Sequence, residues 1–175
     1  MVDGLVRHFA VGLGVVVLTL HGAFAADAKL PSGDSKFVQE AASGGLYEVQ
    51  AGQLAAQKAT NPPVKEMAQH IVGDHQKAAE KLKAIAQAKG APVPAILDKK
   101  HRRKLDRLNK LSGAEFDRKY AEMMVDDHQS DIKKFKSEAE KGNDADLKQF
   151  AAETLPTLEQ HLSMAKEAVT STKTK

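Results

Sequence analysis

Four long segments of this sequence share one pattern: an apolar helical stripe that carries a single polar, metal-competent residue near its middle. In an α-helix, residues spaced alternately four and three apart lie on one face, which packs into a core. The clearest stripe runs from Val64 to Ile85 and has His75 at its centre. The same spacing places a polar residue on three other stripes, namely Glu48, His128 and His161. We therefore predict four helices that each send one such side chain into a common core.

The breaks between these segments predict the fold class, an all-α, ferritin-like four-helix bundle. Short junctions at 60–62 and 141–144 contain proline, glycine and helix-capping residues, so they favour two helical hairpins. A long crossover at 90–112 joins the hairpins, and its basic segment 99–107 is typical of a short amphipathic helix. A simple up-down-up-down topology is the alternative, because both arrangements bring the four polar residues to one level.

The first 25 residues have the features of a secretory signal peptide. Arg7 precedes an apolar run from Phe9 to Leu20, which is too short to span a bilayer, and Ala23 to Ala25 form a small-x-small cleavage signal. We expect cleavage after Ala25 and a periplasmic or envelope-associated protein. The predicted organisation is a signal peptide (1–25), a disordered leader (26–33), the bundle (34–170) and a frayed tail (171–175).

Composition excludes several functions. The chain has no cysteine, so disulfides and thiolate ligands are absent, and its formal net charge of +3 is too small to indicate nucleic-acid binding. We find no nucleophile elbow, Cys/His pair or phosphate-binding loop, and no catalytic residue is assigned. No partner is indicated and no later segment is apolar enough to cross a membrane. Segment 99–107 offers a contact for an anionic surface, although a solvated helix face is the more ordinary interpretation.

The polar residues on the stripes predict a mononuclear metal site. Burying an unpaired imidazole or carboxylate costs several kcal/mol, and one divalent ion would satisfy four such groups together. The predicted ligands are Glu48, His75, His128 and His161, a donor set that suits Zn, Cu, Fe or Ni. A di-iron centre needs Glu-x-x-His motifs, but the residues three before the histidines are Val72, Val125 and Leu158.

Five further residues are predicted to support this site. Asp74 and Asp127 each precede a histidine and are expected to accept hydrogen bonds from imidazoles on neighbouring helices. Asp131 lies one turn after a predicted ligand and is a reserve ligand. Tyr47 and Tyr120 are expected to form hydrogen bonds at the edge of the site.

Three functions are compatible with this pattern. The first is a periplasmic metal-binding or metal-linked stress protein. The second is a structural or interaction bundle in which a buried Glu–His cluster fixes helix register without metal. The third is an oxidoreductase, which would need a redox metal with an open coordination position.

The chain also resembles a known family. The residues that carry the resemblance are Phe37, Ala41-Ala42, Glu48, Met67-Ala68, Asp74-His75, Leu111-Ser112-Gly113, Phe116-Asp117, Tyr120, Asp127-His128, Leu155-Pro156-Thr157-Leu158 and His161-Leu162. They are similar to the bacterial exported family numbered 4142 among domains of unknown function, often labelled predicted outer membrane protein. The resemblance covers 34–168 and implies a ferritin-like bundle without an established activity. The recurrent Glu and His positions of that family fall on the four predicted ligands.

Overall fold

The computed structural model describes residues 29–173, and this part of the chain forms five α-helices. They are α1 (Ser32–Lys58), α2 (Pro62–Ala88), α3 (Lys99–Asn109), α4 (Gly113–Lys141) and α5 (Ala145–Lys173). The four long helices form the bundle and the short α3 lies in the crossover, so the predicted fold class is confirmed. Between residues 29 and 173, none of the helices combines the length and the hydropathy that a membrane span requires. The predicted signal peptide lies outside the described residues.

Contacts at the two ends of the bundle establish its topology. At one end, Phe37 near the start of α1 packs edge-on against Phe135 near the end of α4, with ring centroids 5.1 Å apart. At the other end, the backbone N–H of Thr60, just after α1, donates to Asp117 near the start of α4 at 3.1 Å. Helix α4 is therefore antiparallel to α1 and parallel to α2. The crossover therefore spans the bundle from one end to the other, as in ferritin-like proteins. This arrangement excludes the up-down-up-down alternative.

Two apolar clusters fill the core, and a polar layer separates them. The first cluster contains Met67 and Ile71 of α2 with Tyr120 and Met124 of α4. The second contains the rings of Phe37, Phe135 and Phe150 with Leu82. On α2, α4 and α5, the predicted ligand lies between the residues that enter one cluster and those that enter the other, whereas on α1 Glu48 directly follows Leu46 and Tyr47 of the first cluster. The helical stripes therefore deliver all four polar residues to one level, as their phase predicts.

Helix boundaries depart from the sequence predictions in small but informative ways. Helix α1 begins at Ser32 and Leu30 is buried against the second apolar cluster, so at least this residue of the predicted leader packs on the bundle. Asp34 does not cap α1; its carboxylate accepts from the backbone N–H groups of Asn143 and Asp144, at 3.1 and 2.8 Å, where α5 is about to start. Helix α5 continues to Lys173, inside the predicted tail.

The remaining helix ends follow capping rules only in part. Asn61 caps α2, as predicted, by accepting from the N–H of Val64 at 3.4 Å. Ser112 occupies the N-cap position of α4, but within the described residues its side chain makes no cap hydrogen bond. Pro156 lies inside α5, where it removes one backbone hydrogen bond and weakens the helix close to His161.

Candidate metal centre

Three histidines from different helices meet in the polar layer. His75 of α2, His128 of α4 and His161 of α5 are buried, and each offers one nitrogen within 4.8 Å of those of the other two. Glu48 of α1 is also buried; its Oε2 lies 3.2 Å from Nδ1 of His75 and its Oε1 lies 3.6 Å from Nδ1 of His128. All four residues that the sequence singled out are thus brought together.

Each imidazole faces an acceptor with one of its two ring nitrogens. Nδ1 of His128 donates to the backbone carbonyl of Met124 at 2.9 Å. Nε2 of His161 lies 3.3 Å from Oδ2 of Asp74, and Nδ1 of His75 faces Glu48. Acceptors of this kind orient metal-binding imidazoles in many proteins, because they fix the tautomer and the ring plane.

When the three rings are neutral, no placement of their protons gives every one of the other nitrogens a hydrogen-bond partner. Nε2 of His128 lies 3.3 Å from Nδ1 of His161, and Nε2 of His75 is buried and has no hydrogen-bond partner among the described residues. A carbonyl only accepts, so the proton of neutral His128 is on Nδ1 and its Nε2 carries a lone pair. If His161 donates from Nε2 to Asp74, its Nδ1 lone pair faces that of His128. If its proton moves to Nδ1, the other lone pair faces a carboxylate. One additional cation would resolve this conflict.

Burial keeps two of the histidines neutral near pH 7. Desolvation lowers the pKa of His75 to about 4, against the opposing influence of Asp131 and Asp74. Desolvation, together with repulsion from His75 and His128, also lowers the pKa of His161 to about 4. Neutral imidazole is the form that binds metal ions, so these two rings need no deprotonation before they can act as ligands.

The pKa of Glu48 shifts in the opposite direction to those of the two histidines. Desolvation and the nearby charge of Asp131 raise its pKa to about 8, although His128 opposes this change. Neither carboxylate oxygen accepts a hydrogen bond from the described protein, and both are buried. A small cavity of about 30 Å³ adjoins Glu48 and His75 and is lined mainly by small and apolar residues. A positive charge nearby would favour the ionised form of this acid.

The predicted supporting aspartates have different surroundings. Asp74 contacts an imidazole of a neighbouring helix, as expected, and also accepts from Lys77 at 3.1 Å. Desolvation alone would raise the pKa of Asp74, but the hydrogen bonds and charges of Lys77 and His161 outweigh it and lower this pKa. Asp127 pairs with Lys104 of α3 and Asp131 accepts from Lys134 at 2.9 Å, so neither contacts an imidazole through a hydrogen bond.

The two tyrosines line the polar layer without bonding to it. The hydroxyl groups of Tyr47 and Tyr120 are buried and have no hydrogen-bond partner within residues 29–173. Burial raises the pKa of both phenols, and the charge of Glu48 adds to this effect. The ring of Tyr47 stacks on His101 at 5.2 Å, whereas Tyr120 stacks on Phe116 at 6.1 Å. Both tyrosines lie beside the site, but within the described residues their hydroxyl groups do not form the predicted hydrogen bonds.

Sequence reasoning missed the contacts by which α3 covers one side of the site. Ser43 donates to Asp98 at 2.9 Å and lies 3.0 Å from Nδ1 of His101, while Lys104 lies over the ring of Tyr47. This Ser–His–Asp group is not a catalytic triad, since Ser43 and Asp98 both approach the same ring nitrogen. The Met124 carbonyl was also missed, although its position four residues before His128 was a usable signal.

Fold and site together define the class: a four-helix bundle with a buried cluster of histidines from three helices. The chain belongs to the family described as "Domain of unknown function (DUF4142)", whose model matches residues 19–168. The predicted family is therefore confirmed. No curated protein matches the chain.

Solved structures of helical bundles are similar to this fold. A DUF305 fragment from Deinococcus radiodurans is 13% identical with a TM-score of 0.71, over 81% of this chain and 98% of that one. CopM in its Cu(II)-bound form is 20% identical with a TM-score of 0.67, over 78% and 95%. CopM in its Ag-bound form is 20% identical with a TM-score of 0.63, over 77% and 93%. At these identities the similarity establishes the fold.

Proposed function

We propose that this protein is an exported metal-binding bundle that holds one transition-metal ion in its core. The ligands are Nε2 of His75, Nε2 of His128 and Nδ1 of His161. These nitrogens are free to bind an ion because the other nitrogen of each ring faces an acceptor. The acceptors are Glu48 for His75, the Met124 carbonyl for His128 and Asp74 for His161. Three imidazoles leave one coordination position for water or an exchangeable ligand.

One distance carries this proposal. Nε2 of His128 and Nδ1 of His161 are 3.3 Å apart, and neither can satisfy the other while both outer nitrogens keep their acceptors. Two nitrogens bound to a tetrahedral ion at about 2.0–2.1 Å would be separated by roughly 3.3–3.4 Å. The side chains therefore hold a spacing that suits an ion between them.

Glu48 takes a different role from the one expected from the sequence. It faces the Nδ1 atoms of His75 and His128, on the outer side of both rings, and it is not among the three residues whose ligand atoms converge. We assign it to orienting His75 and balancing the charge of the ion. Removal of such an acceptor typically lowers metal affinity 10- to 100-fold without changing the ligand count, as an order of magnitude.

The donor set is compatible with several transition metals, of which copper is the first to test. Imidazole suits Zn, Cu, Fe and Ni, and among divalent ions the intrinsic affinity is greatest for Cu(II). The structurally similar CopM is described in Cu(II)- and Ag-bound forms, which supports testing copper first. The sequence contains no cysteine that would favour a thiolate-bound ion.

The direct test is equilibrium dialysis against Cu(II), Zn(II), Ni(II) or Fe(II), followed by elemental analysis. We expect one ion per chain, and loss of binding in H75A, H128A and H161A. His70 is exposed on the same helix as His75, so H70A is the matched control and should keep the ion. Replacing Glu48 with Gln should weaken binding but preserve the stoichiometry.

A structural role without metal makes the opposite prediction. In that case chelators leave the melting temperature unchanged, and joint replacement of the four polar residues by apolar ones keeps or raises stability. Equal metal content in H70A and in a variant lacking all three core histidines would contradict binding of the ion by the core histidines.

The proposed export has its own test. Cleavage after Ala25 leaves Ala26 as the first residue of the mature chain. Mass spectrometry of the protein from a periplasmic fraction should therefore give a chain that begins at Ala26. Recovery of only the uncleaved chain from the cytoplasm would contradict export while leaving metal binding open.

A further inference from the structure

The positive charge of this protein is concentrated on the crossover helix. The chain has a formal net charge of +3, whereas α3 alone has six Lys or Arg residues and one Asp, for a net charge of +5. The rest of the chain therefore has a net charge of −2. A surplus confined to one exposed helix produces a local positive field that the overall charge conceals.

The inner and outer faces of α3 have different roles. Leu108 is buried and Leu105 packs on the first apolar cluster, while Lys104 pairs with Asp127. The outer cations are Lys99, Lys100, Arg103 and Arg107, which are exposed. Within residues 29–173, none of these four side chains makes a hydrogen bond or ion pair. The bundle holds the helix in place, so these outer cations remain available for a partner.

An exposed apolar residue stands beside these charges. Ile96 is 73% exposed and is the exposed large hydrophobic residue of the described part of the chain. It lies three residues before Lys99, at a bend in the non-helical segment that follows Pro94. Basic residues beside an apolar side chain suit a lipid interface, where cations contact headgroups and the apolar group enters the acyl boundary. An acidic protein surface would match the charges but would give Ile96 no apolar environment.

We propose that the outer face of α3, together with Ile96, docks the protein on a bilayer surface that contains anionic phospholipid. Each Lys or Arg near such a surface strengthens binding about fivefold, so four outer cations provide a cooperative, salt-sensitive attachment. Ile96 adds an apolar contribution that salt does not screen. This attachment is independent of the metal site.

The test is sedimentation of the purified protein with vesicles of phosphatidylcholine, with or without phosphatidylglycerol. We expect binding only when phosphatidylglycerol is present, and weaker binding at high salt. Joint replacement of Lys99, Lys100, Arg103 and Arg107 by Gln should reduce binding at least 100-fold, as an order of magnitude. I96S should weaken it about tenfold and leave its salt dependence intact.

The matched control removes the same charge elsewhere, at four exposed lysines of the long helices: Lys65, Lys83, Lys133 and Lys166. This variant should retain most vesicle binding. Circular dichroism and thermal melting establish that both quadruple variants are folded. Equal losses in the two variants, or no binding to anionic vesicles, would overturn the proposal. Equally tight binding to polyglutamate, unaffected by I96S, would also overturn it in favour of general polyanion recognition.

Discussion

The outer nitrogens of the three core imidazoles determine where their inner lone pairs point. His128 is fixed by a backbone carbonyl of its own helix, whereas His75 and His161 face carboxylates on α1 and α2. The helical stripe predicts which residues reach the core. It does not determine the ring rotation, because that depends on acceptors supplied by other helices. This is why the histidines were predictable as a group and the position of Glu48 relative to their rings was not.

The low pKa values of two ligands predict that metal is retained in mild acid. Histidine ordinarily takes up a proton near pH 6.5, but the pKa of His75 and of His161 is about 4. Protons therefore begin to compete with the ion at these two ligands only as the pH approaches about 4. Metal content measured after dialysis across this range should stay near one ion per chain until that point. Release already complete near pH 6 would contradict the proposed ligands.

Glu138 predicts that the stability of the fold depends on pH at a place away from the candidate metal centre. Burial and the charges of Asp34 and Asp144 raise its pKa from 4.5 to about 7. Between these values the folded protein holds a proton that the unfolded chain has lost, so this residue's contribution to stability declines as the pH rises from 4.5 to 7. E138Q should raise the melting temperature above pH 7 and change it little below pH 4.5. E140Q, an exposed change on the same helix, should show no such pH dependence.

At the scale of secondary structure, the helix ends are held by residues from other elements. Asp34 lies in the first turn of α1 but accepts from backbone N–H groups just before α5. Asp117 likewise lies in α4 but accepts from Thr60 and Asn61 at the junction of α1 and α2. Periodicity predicted the existence of the helices because it is a local property. Their exact starts were less predictable, since these capping interactions come from distant parts of the chain.

The contacts of Asp117 predict a large loss of stability on mutation. Its buried carboxylate accepts from Thr60 Oγ1 at 2.6 Å and from the N–H of Asn61 at 2.9 Å, in addition to the N–H of Thr60. D117A should lower the free energy of unfolding by about 3 kcal/mol, because it leaves buried donors unpaired. Chemical denaturation measures this loss. D126A, an exposed change on the same helix, is the control and should have an effect within about 0.5 kcal/mol. Similar losses in both variants would contradict this interpretation.

At the scale of the whole molecule, the predicted ion should stabilise the fold by mass action. An ion at about 1,000 times its dissociation constant would add about 4 kcal/mol. For a domain of this size, that corresponds to a rise in melting temperature of roughly 8–16 °C. Calorimetry with and without Cu(II) should show this rise for the natural sequence and for H70A. A variant lacking the three core histidines should show none, and an equal rise there would indicate binding elsewhere.

The distribution of the ligands over α2, α4 and α5 has a kinetic consequence. An ion bound in this way links three helices, so it can dissociate only when at least one of them moves away from the other two. The backbone hydrogen bond lost at Pro156 makes α5 the least costly helix to displace near its ligand. The proposed ion should then exchange at the rate at which the bundle opens locally. A partner protein that displaced α5 would release the ion without competing for its ligands.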